Sequence, residues 1–471
     1  MIRVLRRRTA NLACIREGSA LYESTVLQSA SSLLSMVFGI CFWTIAAWGL
    51  SPADVGVGAG LVPLVTLIAN GANPGLGIAM MRFLPRVQEA SQERLLALSA
   101  VARVAILAVP VSLVAATVAQ AWTPELSYSR RSISVLAFVA GAGIIWAVST
   151  VQEQMIVGLR RPRLLVLKVA VFGVVRLGLL WLAVAFLFPG EKGFGVLFAW
   201  CGGALLACLA VQCRIGFTMP TLALWPGMAS YGLKNWLPQV AGIAPQFLFP
   251  LIVVSAFGVS ANSQFYTAWM AATVLFVVAA SAANALLAEG SRPTADRRGS
   301  IVRALIFTEI IVVPASVALA LASDLALGVL GPTYKEAGPL LRILAISGPL
   351  YGFNAICLAT NQLRHNLMVV NAAHLTVTIL AVFAVQLAQD LGITALGIGW
   401  LAGQSLVTIW FLAWLFASGM LKQAREHVRI AIPGRLSALL FQSEHPSNSA
   451  RNDEPYSSSV SPHTGPGIDR S

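Results

Sequence analysis

The chain has 471 residues, 57% of them hydrophobic and 11% charged, with a formal net charge of +13 and a mean hydropathy of +0.77. Ordinary globular domains carry about 25% charged residues, so a soluble protein is excluded, and the surplus of Lys and Arg bears first on membrane topology rather than on nucleic acid. Cys14, Cys41, Cys201, Cys208, Cys213 and Cys357 lie in apolar stretches or on the side assigned below as cytoplasmic, where thiols stay reduced, and form no C-x-x-C pair.

Residues 1–20 form a basic arm with Arg3, Arg6, Arg7, Arg8 and Arg16. The apolar run that follows, Thr25 to Gly49, is too long for the 7 to 15 residues of a signal h-region and reads as an uncleaved first span. Further runs of roughly 20 residues or more, each able to cross a ~30 Å hydrocarbon core as a helix, follow at Val55–Met80, Leu95–Gln120, Ile133–Leu159, Leu164–Phe188 and Gly193–Gln212. Together they make a six-helix bundle over 21–213. A linker over 214–230 carries Pro220 and Pro226. The second bundle, 231–421, holds spans at Trp236–Phe257, Phe265–Leu287, Ile301–Leu330, Leu340–Thr360, Val369–Leu387 and Ile393–Met420. Residues 422–471, rich in Ser, Pro, Asn and His towards the end, read as a largely disordered cytoplasmic tail.

Twelve spans put both ends on one side, and that side holds 25 of the 32 Lys and Arg residues, against 4 opposite (Arg130, Arg131, Lys192, Lys335) and 3 inside spans. By the positive-inside rule both termini are cytoplasmic and the chain is a multi-pass protein of the plasma membrane. The halves also repeat. Tyr22 and Tyr231 stand 209 residues apart, and at that offset Ala47-Trp-Gly-Leu-Ser51 answers to Ala256-Phe-Gly-Val-Ser260. Six helices duplicated in the same sense form a parallel repeat, a transporter arrangement with the substrate path between the halves.

Ionisable groups inside spans cost about 2.5 to 3.5 kcal/mol at the centre and mark candidate sites. Arg176 lies 12 residues beyond Leu164, about 18 Å deep, and Arg103 lies 8 beyond Leu95, about 12 Å deep. Each is a candidate cavity cation, the alternative being a structural ion pair. Glu153, between Gln152 and Gln154, makes a polar patch in the fourth span, and its expected partner is Arg176 or Arg103. Glu309, about 12 Å into the ninth span, has no evident basic partner and is a candidate proton-coupling site. Arg342 and Asp324 fall near span ends and read as interfacial. Gly71, Pro74, Gly75 and Gly77 interrupt the second span, and Pro238, Pro245 and Pro250 the seventh, as cavity-forming breaks or as tolerated kinks. Walker, H-E-x-x-H and G-x-S-x-G motifs and Cys/His clusters are absent, so neither an enzyme nor a cofactor or metal is expected.

Several segments resemble the polysaccharide (lipid-linked oligosaccharide) flippases of the multidrug/oligosaccharidyl-lipid/polysaccharide exporter, or MATE-like, superfamily. They are Gly75-Leu-Gly-Ile-Ala-Met-Met-Arg82-Phe-Leu-Pro85, Val157-Gly-Leu-Arg-Arg161, Tyr231-Gly-Leu-Lys-Asn235, Ala288-Glu-Gly-Ser291 and Leu330-Gly-Pro-Thr-Tyr334 with Leu340-Leu341. The resemblance implies two six-helix bundles around a central cavity, and translocation of an undecaprenyl-pyrophosphate-linked glycan to the outer leaflet by alternating access. Partners would be that glycan, the bilayer, H+ or Na+ as coupling ion and glycan-assembly proteins, with no nucleic acid. Arg176, Arg103 and Arg82 would be the cations meeting the pyrophosphate, Arg82 having a competing role as an interfacial anchor. A proton- or sodium-coupled efflux antiporter of the same fold is the alternative. Against it, the acidic residue that drug antiporters carry inside the first span is here only Glu23, at its edge. A membrane-bound glycan polymerase or ligase would need a long outer loop, and none is evident in the sequence.

Overall fold

The computed structural model describes residues 27–28, 30–87, 89–122, 133–188, 190–221, 227–290 and 297–417. The basic arm over 1–20, Tyr22, Glu23, Arg130, Arg131, Ser291 and the tail over 422–471 lie outside the described residues, as does the middle of the linker. Among the described residues all regular structure is helical. With no water to satisfy backbone N–H and C=O groups in hydrocarbon, a helix that bonds them internally is the stable solution for such apolar runs.

The first half contains α1 (Ala30–Gly49), α2 (Pro52–Ala72), α3 (Leu76–Phe83), α4 (Ala90–Trp122), α5 (Ile133–Gly158), α6 (Pro162–Leu182) and α7 (Lys192–Ile215). Ser51 caps α2, its hydroxyl accepting from the Asp54 N–H at 3.2 Å, and Pro52 opens the helix where its missing N–H costs nothing. The expected second span is divided. Pro74 and a left-handed Gly75 (φ +76) end α2, and Asn73 Oδ1 accepts from the Gly77 N–H at 3.1 Å as the chain restarts in α3.

In the second half, α8 (228–257) runs straight through Pro238, Pro245 and Pro250. Instead the break falls at Gly258 (φ +86, ψ 171), beyond which α9 (259–290) returns. The expected ninth span also divides, into α10 (Arg297–Leu321) and the short α11 (Ser323–Gly328). At this break, Arg342 donates from Nε to the Ser323 hydroxyl at 3.0 Å and pairs with Asp324, so a polar turn ends the apolar segment. A 3-10 turn over Pro332–Ala337 leads into α12 (Gly338–Leu363), followed by α13 (Leu367–Leu387) and α14 (Ile393–Ala417). Eleven stretches are long and apolar enough to cross a membrane, one of them spanning Met228–Leu287. Dividing that one at Gly258 gives twelve.

Each half has its own core. Phe249, Phe265, Trp269, Leu340, Leu344 and Trp400 centre one, and Phe42, Leu61, Phe194 and Leu197 the other. The repeated Ala47–Ser51 and Ala256–Ser260 segments both form the turn between the first and second long helix of their half. These turns meet. Asn262 Nδ2 donates to the Gly56 carbonyl at 2.9 Å, and a Cβ on Gly56 would lie 1.6 Å from the Val259 carbonyl oxygen. From there α2 and α8 pack antiparallel along their length. Trp236 Nε1 donates to the Asn70 carbonyl at 2.9 Å, and a Cβ on Gly75 would lie 2.0 Å from the Gly232 carbonyl. Such approach of backbones is available only to glycine. The companion pair behaves differently: α1 and α9 touch near the Ser51 end, where the Trp43 and Tyr266 rings stand 4.7 Å apart, and they leave space between them towards the Gln28 end.

Candidate functional site: a cavity between the two bundles

That space is a cavity of about 780 Å³, walled by α1, α5, α6 and α9. Its deep end is Gly39, Arg176, Trp200 and Met270, and its mouth carries Gln28, Ser32, Glu153 and Asn284. Buried Phe42 and Trp43 close it towards the Ser51 end, whereas Gln28, Ser32, Ser35, Ser281 and Asn284 are exposed towards the Gln28 end. A second groove of about 780 Å³ lies beside it between α1, α9 and α10, and is mostly apolar, lined by Leu33, Val278, Leu286 and Phe307 with Ser300 and Arg303 at one end. Met36, Val274, Val277 and Ser281 line both, so the polar cavity opens sideways onto an apolar wall.

Arg176 stands 14 residues into α6, about 21 Å from its start. Only 1% of it is exposed. Its guanidinium lies over Phe172 at 4.4 Å, Trp200 at 4.6 Å and Phe42 at 5.3 Å, a cage of rings contributed by α6, α7 and α1. Ring quadrupoles stabilise a cation more strongly where water is excluded. No acidic side chain pairs with it among the described residues, and its Nε and Nη2 have no hydrogen-bond partner. The charge is therefore held by rings and remains uncancelled by an anion.

Glu153 pairs with neither arginine proposed for it. Its partner is Lys168, with Nζ 3.2 Å from Oε1, and Lys168 also donates to the Ser149 carbonyl. Lys168, counted from sequence among the loop-side cations, is 1% exposed, because α6 begins at Pro162 and carries it about 9 Å into the bundle. Gln152 turns away from the cavity, its Nε2 donating to the Cys208 carbonyl of α7 at 3.2 Å. Its neighbour Gln154 lines the cavity in its place and accepts from Asn73 Nδ2 at 2.9 Å.

Two of the expected cavity cations lie elsewhere. Arg103 is on α4, which packs on α2 and α5, and its Nε and Nη2 are buried without a partner. It does not line the central cavity. Arg82, exposed at the end of α3, covers the Tyr231 ring of α8 at 4.3 Å and so clasps the two halves at the Gln28 end. Glu309 is also away from the cavity: its Oε1 is buried without a partner, facing Gly352 of α12, where a Cβ would come within 2.9 Å. The aromatic cage was not singled out by sequence reasoning. Its signal is three aromatic residues at mid-span, a pattern that core packing produces equally often.

No protein-family model and no curated protein matches this sequence. Solved structures do match. An inward-facing multidrug resistance MATE family transporter of the MOP superfamily is 14% identical, with a TM-score of 0.66 over 85% of this chain and 99% of that one. The lipid II flippase MurJ in an inward closed conformation is 13% identical, with a TM-score of 0.65 over 90% and 94%. A MOP superfamily transporter from Pyrococcus furiosus, described as having a binding pocket of reversed polarity, is 15% identical, with a TM-score of 0.60 over 85% and 96%. The chain shares the fold of these solved structures.

Proposed function

We propose that the chain is a flippase that moves a lipid-linked oligosaccharide of the undecaprenyl-pyrophosphate type across the plasma membrane by alternating access, in cell-surface polysaccharide biosynthesis. The supporting observation is the junction of a polar cavity with an apolar lateral groove along Met36, Val274, Val277 and Ser281. An amphiphile can place its head in the cavity while its tail stays against hydrocarbon, which avoids the ~0.8 kcal/mol per CH2 of moving the tail into water. The head group is anionic on this reading, because Arg176 projects an uncompensated positive field into a space of low dielectric. One of the similar structures, the MATE family transporter, is named as inward-facing, which fits a cavity open at one end. On this reading Glu309 is the place where a proton couples to the cycle.

Arg176→Ala tests the proposal in cells whose own copy is deleted. Surface glycan is expected to be lost while the variant protein reaches the membrane in normal amount. Normal export by that variant overturns the reading. So does a deletion strain with unchanged surface glycan that accumulates drugs, the behaviour of an efflux antiporter.

A further inference from the structure

Inside the second bundle, apart from Arg176, lies a pocket of about 160 Å³ with contributions from α8, α9, α12, α13 and α14. Its polar lining includes Asn284, Tyr351, Gln362, His374 and Gln404, together with the indole of Trp400. No Asp, Glu, Lys or Arg lines it. We infer that this pocket is a subsite for one uncharged sugar ring of the transported head group.

The hydrogen-bonding inventory selects that ligand. Asn354 Nδ2 donates to the Gln404 carbonyl at 3.0 Å and to Gln404 Oε1 at 2.8 Å, while Thr408 donates to Asn354 Oδ1 at 3.0 Å. These bonds fix Gln404 and leave its Nε2 donors unspent. The Tyr351 hydroxyl, the His374 ring nitrogens and the Asn284 amide also have no hydrogen-bond partner among the described residues, so donors and acceptors face the same space. An apolar ligand would strand them, and a charged ligand would meet no countercharge. A bare cation is answered by acceptors alone, whereas the Gln404 and Asn284 amide N–H groups bring donors to the same space, and Asn354 Oδ1 and Gln404 Oε1 each already accept a bond. A ring of neutral hydroxyls answers both donors and acceptors. The Tyr351 and Trp400 rings, stacked at 6.2 Å and 24°, add a flat apolar wall for its C–H face.

The pocket adjoins the central cavity, for Ala280 and Asn284 of α9 line both. Met270, at the deep end beside Arg176, precedes Ala280 by 10 residues, about 15 Å along the helix. A ligand reaching from one to the other is longer than a single sugar phosphate. In this respect the inference deepens the flippase proposal and rests on it, but sugar binding itself is measured without transport.

The test uses the full chain in lipid nanodiscs, with glucose and N-acetylglucosamine as probes and saturation transfer from protein to sugar protons as the readout. Wild-type protein and Arg176→Ala are expected to give transfer to at least one sugar. Gly242→Leu, which fills the pocket beside His374, should abolish it, and Tyr351→Phe and Asn284→Ala should each weaken binding by about five-fold. No transfer with wild type, or equal transfer in all three pocket variants, overturns the subsite. Transfer that depends on the pocket, together with normal export by Arg176→Ala, would uphold the subsite while the flippase reading fell.

Discussion

At the scale of single residues, the Lys168–Glu153 pair shows how burial decides what a substitution costs. The Lys168 side chain is 2% exposed and that of Glu153 46%. Glu153→Gln removes the countercharge from an enclosed ammonium, whereas Lys168→Met leaves a carboxylate that water still reaches. We expect Glu153→Gln to destabilise the protein by about 1–3 kcal/mol and Lys168→Met by less than about 1 kcal/mol. Thermal unfolding in detergent checks the order, and an equal or reversed loss would show that the pair is not held as described. The same residues mark how far the site was legible in sequence. Depth along a span singled out Arg176, because rise per residue is known. Direction around the helix was not legible, since spans apolar on all sides have no polar face to orient them. Hence the sequence points to Gln152 where Gln154 lines the cavity, to Lys168 outside the bundle that buries it, and to Arg103 in a cavity wall it does not line.

At the scale of elements, the contact between α2 and the α8–α9 turn depends on having no side chain at position 56. A Cβ there would sit 1.6 Å from the Val259 carbonyl, a backbone atom that moves only if a whole helix moves. Gly56→Ala is therefore expected to force the halves apart at the Ser51 end, break the Asn262 bond to the Gly56 carbonyl and lower the melting temperature by several degrees. An unchanged melting temperature would mean that the turns separate freely. Helix number and approximate limits were legible, since each apolar run matches the bilayer, and the repeat was legible because both copies of the turn keep Gly and Ser at matching places. Where helices break was less so. Three prolines inside α8 are obvious candidates, yet the helix continues through all of them, as membrane helices tolerate. The reversal needs a positive φ that Gly258 adopts without strain. The break at Ala322 rests on the Arg342 contacts to Ser323 and Asp324, which are distant in sequence and have no local signature.

At the scale of the whole molecule, alternation of the helices gathers Arg82, Arg86, Arg94, Arg160, Arg161, Arg163, Arg214, Lys234 and Arg364 at the Gln28 end, where the cavity opens. Lys192, Lys335 and Arg342 are at the Ser51 end. Cations are retained on the cytoplasmic face during insertion, and anionic lipid there attracts each by about 1 kcal/mol. The cavity is accordingly expected to open to the cytoplasm, the side on which a lipid-linked glycan would load. In a variant with all six cysteines replaced, Ser32→Cys at the cavity mouth should react with a membrane-impermeant maleimide in inverted vesicles and stay unlabelled in intact cells. Asp390→Cys, in the exposed turn between α13 and α14, should show the opposite pattern. Labelling of Ser32→Cys from outside intact cells, with Asp390→Cys protected, would invert the molecule. The polar cavity would then face the compartment into which a flippase delivers its cargo, and loading from the cytoplasm would require the other conformation.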